Sequence, residues 1–407
     1  MSERELPRLG VFMDAAAASI FDVSEASRDV CRLVWVVGWS AQYPPARMLS
    51  RFGDVVDVSS MSDEDAVEGI VGERLDGVVV FNDAPLRLAA AVADRLGLPF
   101  HSPRCAVLLT DKWEQRTALR AAGVAVPAFQ SLSSDTRDVA VPFPAVLKPR
   151  VGAGGRDTYY VQNADEMVDV LRRYGRDDEF ILEEFLADRV PASRLAADIV
   201  SVESVVRGGT FEHVAVTGRF PFAEPFRETG LFLPSDVSEE EARLVCDVAT
   251  DALMALSVKE GITHTEVKLT PSGPRLIEVN GRLGGGVSSM IAKVGGPSLL
   301  EGAIRLALAQ GVRAMSSLSA APVAFYRFIV APVGARSVAS VSGIEALGEL
   351  PGVESVRLNR AVGEAVDSTE TSHLGHVVRI DGVAASHEAL DTLINELIPA
   401  TLQVTWN

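Results

Sequence analysis

Residues 262–286, ITHTEVKLTPSGPRLIEVNGRLGGG, decide the fold that we predict for this chain. Within them, Ile262–Leu269 and Arg275–Val279 are runs in which apolar and polar residues alternate, a pattern typical of strands. The segment between the runs, TPSGP at residues 270–274, contains the Pro and Gly residues that favour turns. The stretch therefore predicts a β-hairpin.

The register of this hairpin determines which polar side chains meet. We take Leu269 to pair with Arg275, which places Glu266 opposite Glu278. Directly opposed carboxylates repel each other and destabilise a sheet. We therefore expect a cation between them, although a slip of one residue would turn one strand's side chains to the other face.

The same register places His264 opposite Asn280 and gathers polar side chains on one face, because residues two apart on a strand share a face. The side chains on this face are His264, Glu266, Lys268, Glu278, Asn280 and Arg282. Two carboxylates and an amide oxygen suit Mg²⁺ that carries nucleotide phosphates and do not suit Zn²⁺. An ordinary hairpin with a polar outer face is the alternative. Against it, Gly281 and Gly284–Gly286 crowd the end of the second strand, where a ligand could approach the backbone.

The composition limits the class of protein. A chain of 407 residues is long enough for about two to four domains. Its formal net charge of −17 argues against a nucleic-acid-binding surface. The three cysteines are widely spaced, so neither a disulfide framework nor a structural zinc site is expected. No apolar run is long enough to cross a membrane, and the charged N-terminus lacks a signal-peptide pattern, which predicts a cytoplasmic protein.

The N-terminal part of the chain predicts a small parallel α/β domain over residues 1–107, because strands alternate with helices. The predicted elements are the strands Arg32–Trp39, Asp54–Val58 and Gly77–Phe81 and the helix Ala84–Leu96. Asn82 and Asp83 follow a strand end, where open α/β sheets commonly bind ligands. A turn that also caps the following helix is the alternative for these two residues.

Two lysines are candidates for binding an anion. Lys112 lies in the first turn of a predicted helix that Thr110 or Asp111 caps. That end of the helix dipole is unfavourable for a cation, which makes sense if Lys112 reaches a phosphate, whereas simple solvation is the alternative. Lys148 is the single charge in the apolar predicted strand Phe143–Pro149 and requires an anion nearby.

A glycine-rich loop, VGAGGRD at residues 151–157, follows this strand. The backbone N–H groups of such loops can cradle phosphate oxygens. The loop is neither a Walker A loop nor a Rossmann loop that opens a helix. Because Thr158–Val161 is a predicted strand, the loop joins two strands as a flap over phosphates or as a plain glycine hairpin. Further on, Phe180–Leu186 predicts a strand that ends in two acids.

In their order along the chain, these signals resemble the ATP-grasp superfamily, specifically the carboxylate–amine ligases and, among these, the L-amino acid ligases that make dipeptides. The resemblance covers about residues 108–310, and its most specific segment is HTEVKLTPSGPRLIEVNGRLGGG at 264–286. It implies an α/β (α+β) ATP-grasp fold with four parts. They are an N-terminal parallel α/β domain (1–107), a small lid subdomain (108–182), a large subdomain with the metal-binding hairpin (183–317) and a C-terminal α+β domain that walls the substrate site (318–407).

The resemblance also implies nucleotide-binding residues. Those implied to contact or close over the phosphates are Lys112, Lys148, Gly152, Gly154 and Gly155. Those implied to form the hinge that holds the adenine are Glu183, Glu184, Phe185 and Leu186. An acid beyond the hinge would take the ribose hydroxyls, and the irregular spacing leaves Asp188 and Asp198 as alternatives.

The metal ligands and catalytic groups come from the hairpin. By resemblance, Glu266, Glu278 and Asn280 bind magnesium, with two ions expected and manganese as a substitute. Arg282 is implied to lie near the acyl phosphate and the developing oxyanion, with Lys148 as a second catalytic group. Lys268 is a third candidate catalytic group; it shares the face of Glu266 with His264, and both residues either contact substrate or have structural roles.

This chain departs from the family pattern in two places. Family loops usually carry Ser and Gly where this chain has Gly155 and Asp157, so the loop–phosphate contacts are expected to differ here, with Arg156 as a candidate to replace them. The insertion-like stretch Asp188–Ala197 blurs the spacing between the hinge and the ribose-binding acid.

The implied reaction is ATP-dependent formation of an amide or peptide bond through an acyl phosphate, with release of ADP and phosphate. The implied partners are small carboxylate and amine substrates, with no nucleic acid and no membrane, and the expected assembly is a homodimer. The alternatives are an ATP-grasp carboxylase or purine-pathway ligase that uses bicarbonate or formate, and a nucleotide-binding regulator without catalysis.

The C-terminal region carries weaker signals. Val323–Val330 predicts a strand and Ser386–Leu397 a closing helix. Tyr326, Arg327 and Phe328 on that strand face either substrate or core. His373 and His376 lie in a glycine-containing loop without a third metal ligand, so an ordinary loop is favoured over a metal site.

Overall fold

A computed structural model describes most of the chain. It covers residues 6–14, 18–39, 46–133, 136, 138–175, 178–189, 193–224, 226–311, 321–367 and 375–407. His373 lies outside these residues, so the loop predicted around it is not described. In the part that the structure describes, no helix is long and apolar enough to cross a membrane.

The N-terminal region forms a parallel sheet with helices, as the sequence predicts, and its four strands have the order β3-β2-β1-β4. Its strands are β1 (Arg8–Phe12), β2 (Arg32–Val37), β3 (Gly53–Asp57) and β4 (Gly77–Val80), and its helices are α1 (Ile20–Ser27), α2 (Ala46–Leu49), α3 (Asp63–Val71) and α4 (Leu86–Leu96). Strand β1 was not predicted. Both faces of β2 are apolar because Leu33 and Trp35 belong to one hydrophobic cluster and Val34 and Val36 to another. The helices on the two sides of the sheet cover these faces.

A second sheet of four antiparallel strands follows, with the order β5-β8-β6-β7. Its strands are β5 (Phe129–Leu132), β6 (Ala145–Pro149), β7 (Tyr159–Val161) and β8 (Phe180–Glu184), and the adjoining helices are α5 (Pro103–Thr110), α6 (Lys112–Ala121) and α7 (Ala164–Leu171). Asp111 caps α6 by accepting hydrogen bonds from the N–H groups of Trp113 and Glu114 at 3.0 and 3.2 Å. Thr110 instead ends α5. The glycine-rich loop joins β6 to β7, so its predicted place between two strands is confirmed.

The largest sheet has eight strands in the order β13-β12-β9-β10-β11-β14-β17-β16. They are β9 (Ile199–Arg207), β10 (Thr210–Arg219), β11 (Gly230–Leu233), β12 (Glu260–Thr270), β13 (Gly273–Asn280), β14 (Val323–Val330), β16 (Val353–Leu358) and β17 (His376–Ala384), while β15 (Val338–Ser342) pairs with β18 (Gln403–Trp406). The helices that accompany them are α8 (Glu239–Ala255), α9 (Val287–Lys293), α10 (Leu299–Ala307), α11 (Ile344–Gly348), α12 (His387–Thr392) and α13 (Ile398–Thr401), with a π-helical turn at Leu393–Leu397. This sheet therefore carries strands from both the predicted large subdomain and the predicted C-terminal domain.

The hairpin β12–β13 has the predicted form, but part of its predicted register is wrong. Glu266 lies opposite Glu278 as expected, whereas Leu269 pairs with Pro274 and not with Arg275. A β-bulge after Glu266 leaves Ile277 as an extra residue on β13, because Val267 pairs with Leu276. The turn is also tighter than predicted, since only Pro271 and Ser272 separate the two strands.

The domain boundaries remain a proposal. Strand β8 begins at Phe180 and ends at Glu184, so the proposed boundary between residues 182 and 183 falls inside it. The N-terminal sheet shares a hydrophobic cluster with the large sheet, in which Trp35 from β2 belongs with Val205 from β9 and Leu283. The end of the hairpin is thus packed against the N-terminal sheet.

Candidate active site

One face of the large sheet gathers the polar side chains of the hairpin and of β9. Glu266 lies opposite Glu278 on one side and opposite Ser201 on the other, and His264 lies opposite Glu203. Residues directly opposite on neighbouring strands share a face, so these side chains form a polar row across β13, β12 and β9. The predicted grouping of Glu266, Glu278 and Asn280 is consistent with this pairing, because Asn280 is the partner of His264.

One oxygen of Glu266 is held by two cationic groups. Its Oε1 accepts a hydrogen bond from Arg219 Nη2 at 2.8 Å and lies 3.4 Å from His264 Nε2. Burial opposes ionisation of Glu266, but Arg219 and His264 outweigh it and hold the pKa of Glu266 well below its usual range. The other carboxylate oxygen can therefore serve as an anionic ligand.

His264 is held in turn by a buried carboxylate. Its Nδ1 lies 2.5 Å from Oε1 of Glu203, a residue with no exposed surface. Burial lowers the pKa of His264, but Glu203 and Glu266 more than compensate and raise it to about 9. His264 therefore acts in this structure as a cation between two carboxylates, and we assign it a structural role beside Glu266.

Lys112 lies next to the second hairpin carboxylate. Its Nζ donates to the carbonyl oxygen of Gly152 at 2.7 Å and lies 3.3 Å from Oε1 of Glu278. The structure thus brings the first turn of α6, the glycine-rich loop and β13 to one point. Gly154 and Gly155, the other two predicted loop residues, are exposed and adopt left-handed φ angles of 68° and 69°.

Lys148 has the anionic partner that the sequence analysis required. Its Nζ lies 2.7 Å from Glu183 Oε2, and Arg116 Nε lies 2.8 Å from Oε1 of the same carboxylate. Burial lowers the pKa of Lys148, and Glu183 offsets only part of that effect. Burial would raise the pKa of Glu183, but Arg116 and Lys148 together lower it to about 2. Glu183 is thus a counter-ion at the predicted hinge.

The remaining hinge residues connect β8 to the large sheet. The backbone N–H of Glu184 donates to Ala128 O at 2.8 Å, and its side chain accepts from the N–H of Ala128 at 3.0 Å. The Phe185 ring packs edge to face against Tyr160, with 5.1 Å between centroids, and Leu186 follows it. These contacts fix the path of the backbone through the predicted adenine hinge.

The two acids considered for the ribose differ in accessibility. Asp188 pairs with Lys268, and 64% of its side chain is exposed. Asp198 is 7% exposed in its side chain and pairs with Arg189 at 3.0 Å. Lys268 is therefore engaged with the linker after β8, and Asp188 is the more accessible of the two acids.

Arg282 forms an ion pair with the N-terminal domain. Its Nη2 and Nε lie 2.8 and 3.2 Å from Oδ2 of Asp83, a residue that the sequence analysis placed at a strand end. Burial would lower the pKa of Arg282, but Asp83 and the two hairpin carboxylates raise it. Arg282 thus remains cationic beside Glu266 and Glu278.

The sequence analysis did not identify several residues of this site. They are Arg116, Ser201, Glu203, Arg219 and Glu228. The polar residues Ser201 and Glu203 alternate with valines in β9, which was a usable signal, since such a pattern marks a sheet face that is not purely apolar. Arg219 forms ion pairs with both Glu228 and Glu266. No local sequence pattern predicts its contact with Glu266, which is distant in the chain.

The side chains of Tyr326, Arg327 and Phe328 do not all face the same side of the sheet. Tyr326 and Phe328 are buried in the cluster shared with the N-terminal sheet, and the Tyr326 hydroxyl donates to Glu228 at 3.0 Å. Arg327 points to the other face, over the ring of Phe220 at 5.2 Å. His376 stacks on Phe328 with 3.9 Å between centroids, so core packing accounts for this part of β14.

The residues at the hairpin fit a magnesium ion bound to phosphates better than a metal held by protein alone. Within the described ranges, no group of three or more His, Cys, Asp or Glu side chains is arranged to hold a metal. Mg²⁺ usually takes one or two carboxylates and completes its coordination with water and phosphate oxygens. Glu266 and Glu278, opposite each other on β12 and β13, match this all-oxygen requirement.

Parts of this chain are similar in sequence to known proteins. Residues 109–286 match the ATP-grasp domain family. Carnosine synthase 1 of Gallus gallus is 27% identical over 328 residues, which cover 73% of this chain and 35% of that protein. Alanine–anticapsin ligase of Bacillus subtilis (strain 168) is 25% identical over 250 residues, covering 55% of this chain and 52% of that protein. The chain spans 65% or less of the length of the first curated relatives that it matches.

Solved structures share the fold along nearly the whole chain. L-amino acid ligase from Bacillus licheniformis superposes with a TM-score of 0.79 at 19% identity, covering 99% of this chain and 100% of that one. N5-carboxyaminoimidazole ribonucleotide synthetase from Thermotoga maritima has a TM-score of 0.68 at 17% identity, with the same coverage of 99% and 100%. The chain thus has the ATP-grasp fold, and the match to the ATP-grasp domain family covers residues 109–286. The predicted relationship to ATP-grasp ligases is confirmed.

Proposed function

We propose that this chain is an ATP-dependent carboxylate–amine ligase that forms an amide or peptide bond and releases ADP and phosphate. The observation that supports it most strongly is the convergence of Lys112, the glycine-rich loop and Glu278, with Lys148 close by on β6. Lys112 Nζ touches both the loop carbonyl of Gly152 at 2.7 Å and Glu278 at 3.3 Å. A site with cations on one side and carboxylates on the other suits the phosphates of a nucleotide and the magnesium that accompanies them.

In this proposal, different residues bind the phosphates, the magnesium, the adenine and the ribose of Mg-ATP. Lys112 and Lys148 receive phosphate oxygens, and the backbone N–H groups around Gly154 and Gly155 cover them. Glu266, Glu278 and Asn280 hold the magnesium, which when bound neutralises phosphate charge. The backbone of Phe185 and Leu186, with Glu184, borders the adenine, and Asp188 or Asp198 takes the ribose.

The reaction needs no side-chain nucleophile. A carboxylate oxygen of one substrate attacks the γ-phosphorus of ATP and ADP leaves, which gives an acyl phosphate. The amine nitrogen of the second substrate attacks the acyl carbon, and phosphate leaves. Arg282 stabilises the negative charge that develops on the acyl oxygen. The closed loop excludes water that would otherwise hydrolyse the acyl phosphate.

Amino acids are the substrates we favour. Similarity to alanine–anticapsin ligase and to an L-amino acid ligase supports this choice. A carboxylase or purine-pathway ligase that uses bicarbonate or formate is the alternative, since a purine-pathway synthetase has the same fold. We also propose the four-part division of the chain, two magnesium ions that manganese can replace, a homodimer and a cytoplasmic location.

Phosphate release from Mg-ATP, measured against a matrix of amino-acid pairs with mass spectrometry of the products, tests the proposal. We expect a product with the mass of a dipeptide only when one carboxylate and one amine substrate are both present. Phosphate release that depends on bicarbonate or formate, without a peptide product, would establish the alternative. ATP binding without turnover under all these conditions would point to a regulator.

A further inference from the structure

The glycine-rich loop, residues 151–157, is fixed to the rest of the molecule at both ends, at the first end through Arg150, which precedes it. At its start the Arg150 guanidinium donates to Asp111 at 2.7 Å, and the Gly152 carbonyl accepts from Lys112 at 2.7 Å. This end of the loop is therefore tied to the start of α6 and to a lysine that we assign to the ATP phosphates. Between the two ends the segment 151–156 is exposed.

At its other end the loop is held by Asp157, through a chain of two tyrosines. The Tyr174 hydroxyl donates to Asp157 Oδ1 at 2.8 Å, and the Tyr159 hydroxyl lies 2.6 Å from the Tyr174 hydroxyl. The Tyr174 ring packs edge to face on Phe180, with 4.8 Å between centroids. Burial, together with the hydrogen bonds to Tyr159 and Asp157, raises the pKa of Tyr174, so the phenol keeps the proton that it donates. The anchor thus packs against the hydrophobic core of the sheet β5-β8-β6-β7.

The backbone at Asp157 explains why an anchor matters there. Asp157 has a φ of 54°, in the left-handed region that Asp and Asn tolerate better than most side chains. It follows Gly154 and Gly155, which are also left-handed, and the Thr158 N–H closes the turn on the Gly155 carbonyl at 3.2 Å. The conformation of Asp157 therefore sets the direction in which the exposed segment leaves the sheet.

We propose that Asp157, held by Tyr174 and Tyr159, is a positioning residue that fixes the glycine-rich loop over the ATP phosphates. This inference rests on the proposed function. Asp157 does not itself touch the nucleotide in this proposal, and acts through the backbone N–H groups of the loop. The anchor then controls both the affinity for ATP and the shielding of the acyl phosphate from water.

A loosened loop has a definite chemical consequence. A water oxygen attacks the acyl carbon, the bond from that carbon to the phosphate oxygen breaks, and phosphate leaves. The substrate carboxylate is regenerated, so the net reaction is hydrolysis of ATP to ADP and phosphate without an amide. The ratio of phosphate released to amide formed therefore reports the position of the loop. A loss of overall stability would lower both amounts and would not raise this ratio.

The variant Tyr174→Phe, which removes one hydroxyl from the anchor, tests the proposal, with Tyr160→Phe as its matched control. Tyr160 lies in the same sheet and is 43% exposed. Phe keeps the ring that packs against Phe185, so Tyr160→Phe removes only a hydroxyl that is not part of the anchor. For Tyr174→Phe we expect the KM for ATP to rise about tenfold, as when a hydrogen bond to a charged group is lost. The KM values for the other substrates should stay unchanged, and the phosphate-to-amide ratio should rise above one. The control should match the wild type.

Two substitutions at Asp157 separate the anchor from the backbone conformation. Asp157→Gly keeps the left-handed backbone without the side chain and should behave like Tyr174→Phe. Asp157→Asn keeps an oxygen that can accept the hydrogen bond from Tyr174, so this variant should keep a KM for ATP and a phosphate-to-amide ratio close to those of the wild type. If Tyr174→Phe does not fold, Tyr159→Phe takes its place with the same expected effects. Wild-type KM for ATP and a ratio of one in both Tyr174→Phe and Asp157→Gly would overturn the proposal.

Trypsin cleavage after Arg156 gives a readout that does not need turnover. Arg156 is exposed in the loop. Mg-ATP should slow cleavage there at least about tenfold in the wild type and in Tyr160→Phe, and much less in Tyr174→Phe and Asp157→Gly. If no amide product is found but ATP protects Arg156, the ligase proposal fails while the anchor is still judged by this protection. Absence of protection in the wild type, or equal protection in all variants, would refute the anchor.

Discussion

At the scale of single residues, the site is a set of opposed charges that hold one another in place. Glu266 keeps one oxygen on Arg219 and His264, Glu278 lies beside Lys112, and Arg282 is paired with Asp83. Each charge has a partner of opposite sign, which is how such groups are accommodated in a largely buried position. In our proposal, Mg-ATP replaces part of these contacts when it binds. Because each acid has its own partner, the effect of substituting one acid can be measured separately from the others.

The first prediction concerns Glu278. In Glu278→Gln we expect Mg²⁺-dependent phosphate release to fall by more than about 100-fold, since even outer-shell partners of a metal site contribute 10–100-fold. The fold should persist by circular dichroism, because Gln keeps the shape of the side chain. Glu260→Gln, at the far end of the same hairpin where Glu260 accepts from the Gly208 N–H, is the control and should remain active. Unchanged magnesium dependence in Glu278→Gln would remove Glu278 from the metal site.

At the scale of elements, the hairpin shows how much local pattern can predict. The alternation in residues 262–286 predicted the two strands, and the assumed register placed Glu266 opposite Glu278 as observed, although the pair Leu269–Arg275 from which it was inferred is wrong. The alternation was not sufficient to place Leu269, because a bulged strand carries one extra residue that leaves the alternation on either side intact. Ile277 is that extra residue on β13. The predicted register is therefore correct at Glu266 and Glu278 and wrong by one residue at Leu269, nearer the turn.

Helix α6 yields the second prediction, because its cap is also part of the site. Asp111 accepts from two backbone N–H groups and pairs with Arg150 at 2.7 Å. Asp111→Ala should therefore lower the free energy of unfolding by about 1–2 kcal/mol and also raise the KM for ATP, since Lys112 follows the cap.

The cap of α7 is a matched control for this variant. Asn163 accepts from the Glu166 N–H at 3.0 Å and has the same role at another helix. Asn163→Ala should cost a similar part of the stability in urea unfolding without changing the KM for ATP. If both variants change the KM equally, the cap of α6 has no special connection with the nucleotide.

At the scale of the whole molecule, buried charges join parts that are distant in the chain. Arg116 of α6 donates to the Ile277 carbonyl on β13 and pairs with Glu183 on β8, which also binds Lys148 on β6. Arg282 joins the hairpin to the N-terminal sheet through Asp83. The N-terminal sheet, the sheet β5-β8-β6-β7 and the eight-stranded sheet are therefore connected by these buried charged groups at the site. The N-terminal and eight-stranded sheets also share hydrophobic clusters.

The third prediction is the pH dependence that follows from Glu183. Its pKa falls from an ordinary 4.5 to about 2 in the folded chain. A lowered folded-state pKa stabilises the protein above the unfolded-state value, and the contribution disappears as the pH falls through about 2. Urea unfolding should thus show a loss of stability between pH 4.5 and pH 2 that depends on this residue.

The variant Glu183→Gln tests this dependence. We expect it to be less stable than the wild type at pH 7 by about 3–5 kcal/mol, because Arg116 and Lys148 lose their counter-ion. Its stability should also fall less steeply in the acid range. Glu349→Gln, an exposed position, should retain the wild-type profile. A parallel acid profile in Glu183→Gln and the wild type would show that another group dominates.

The hairpin, the glycine-rich loop between two strands, the order of the charged groups and, beyond residue 31, the alternation of strands and helices in the N-terminal region could be predicted from the sequence alone. These features depend on residues close together in the chain, where spacing and turn chemistry act directly. The partners of the charged groups could not be predicted in this way, because they come from distant parts of the chain. Arg219 meets Glu266 across β9, Asp83 meets Arg282 from another sheet, and Tyr174 reaches Asp157 across a helix. Such pairs depend on how sheets pack and on which strands become neighbours, and no local pattern encodes that arrangement.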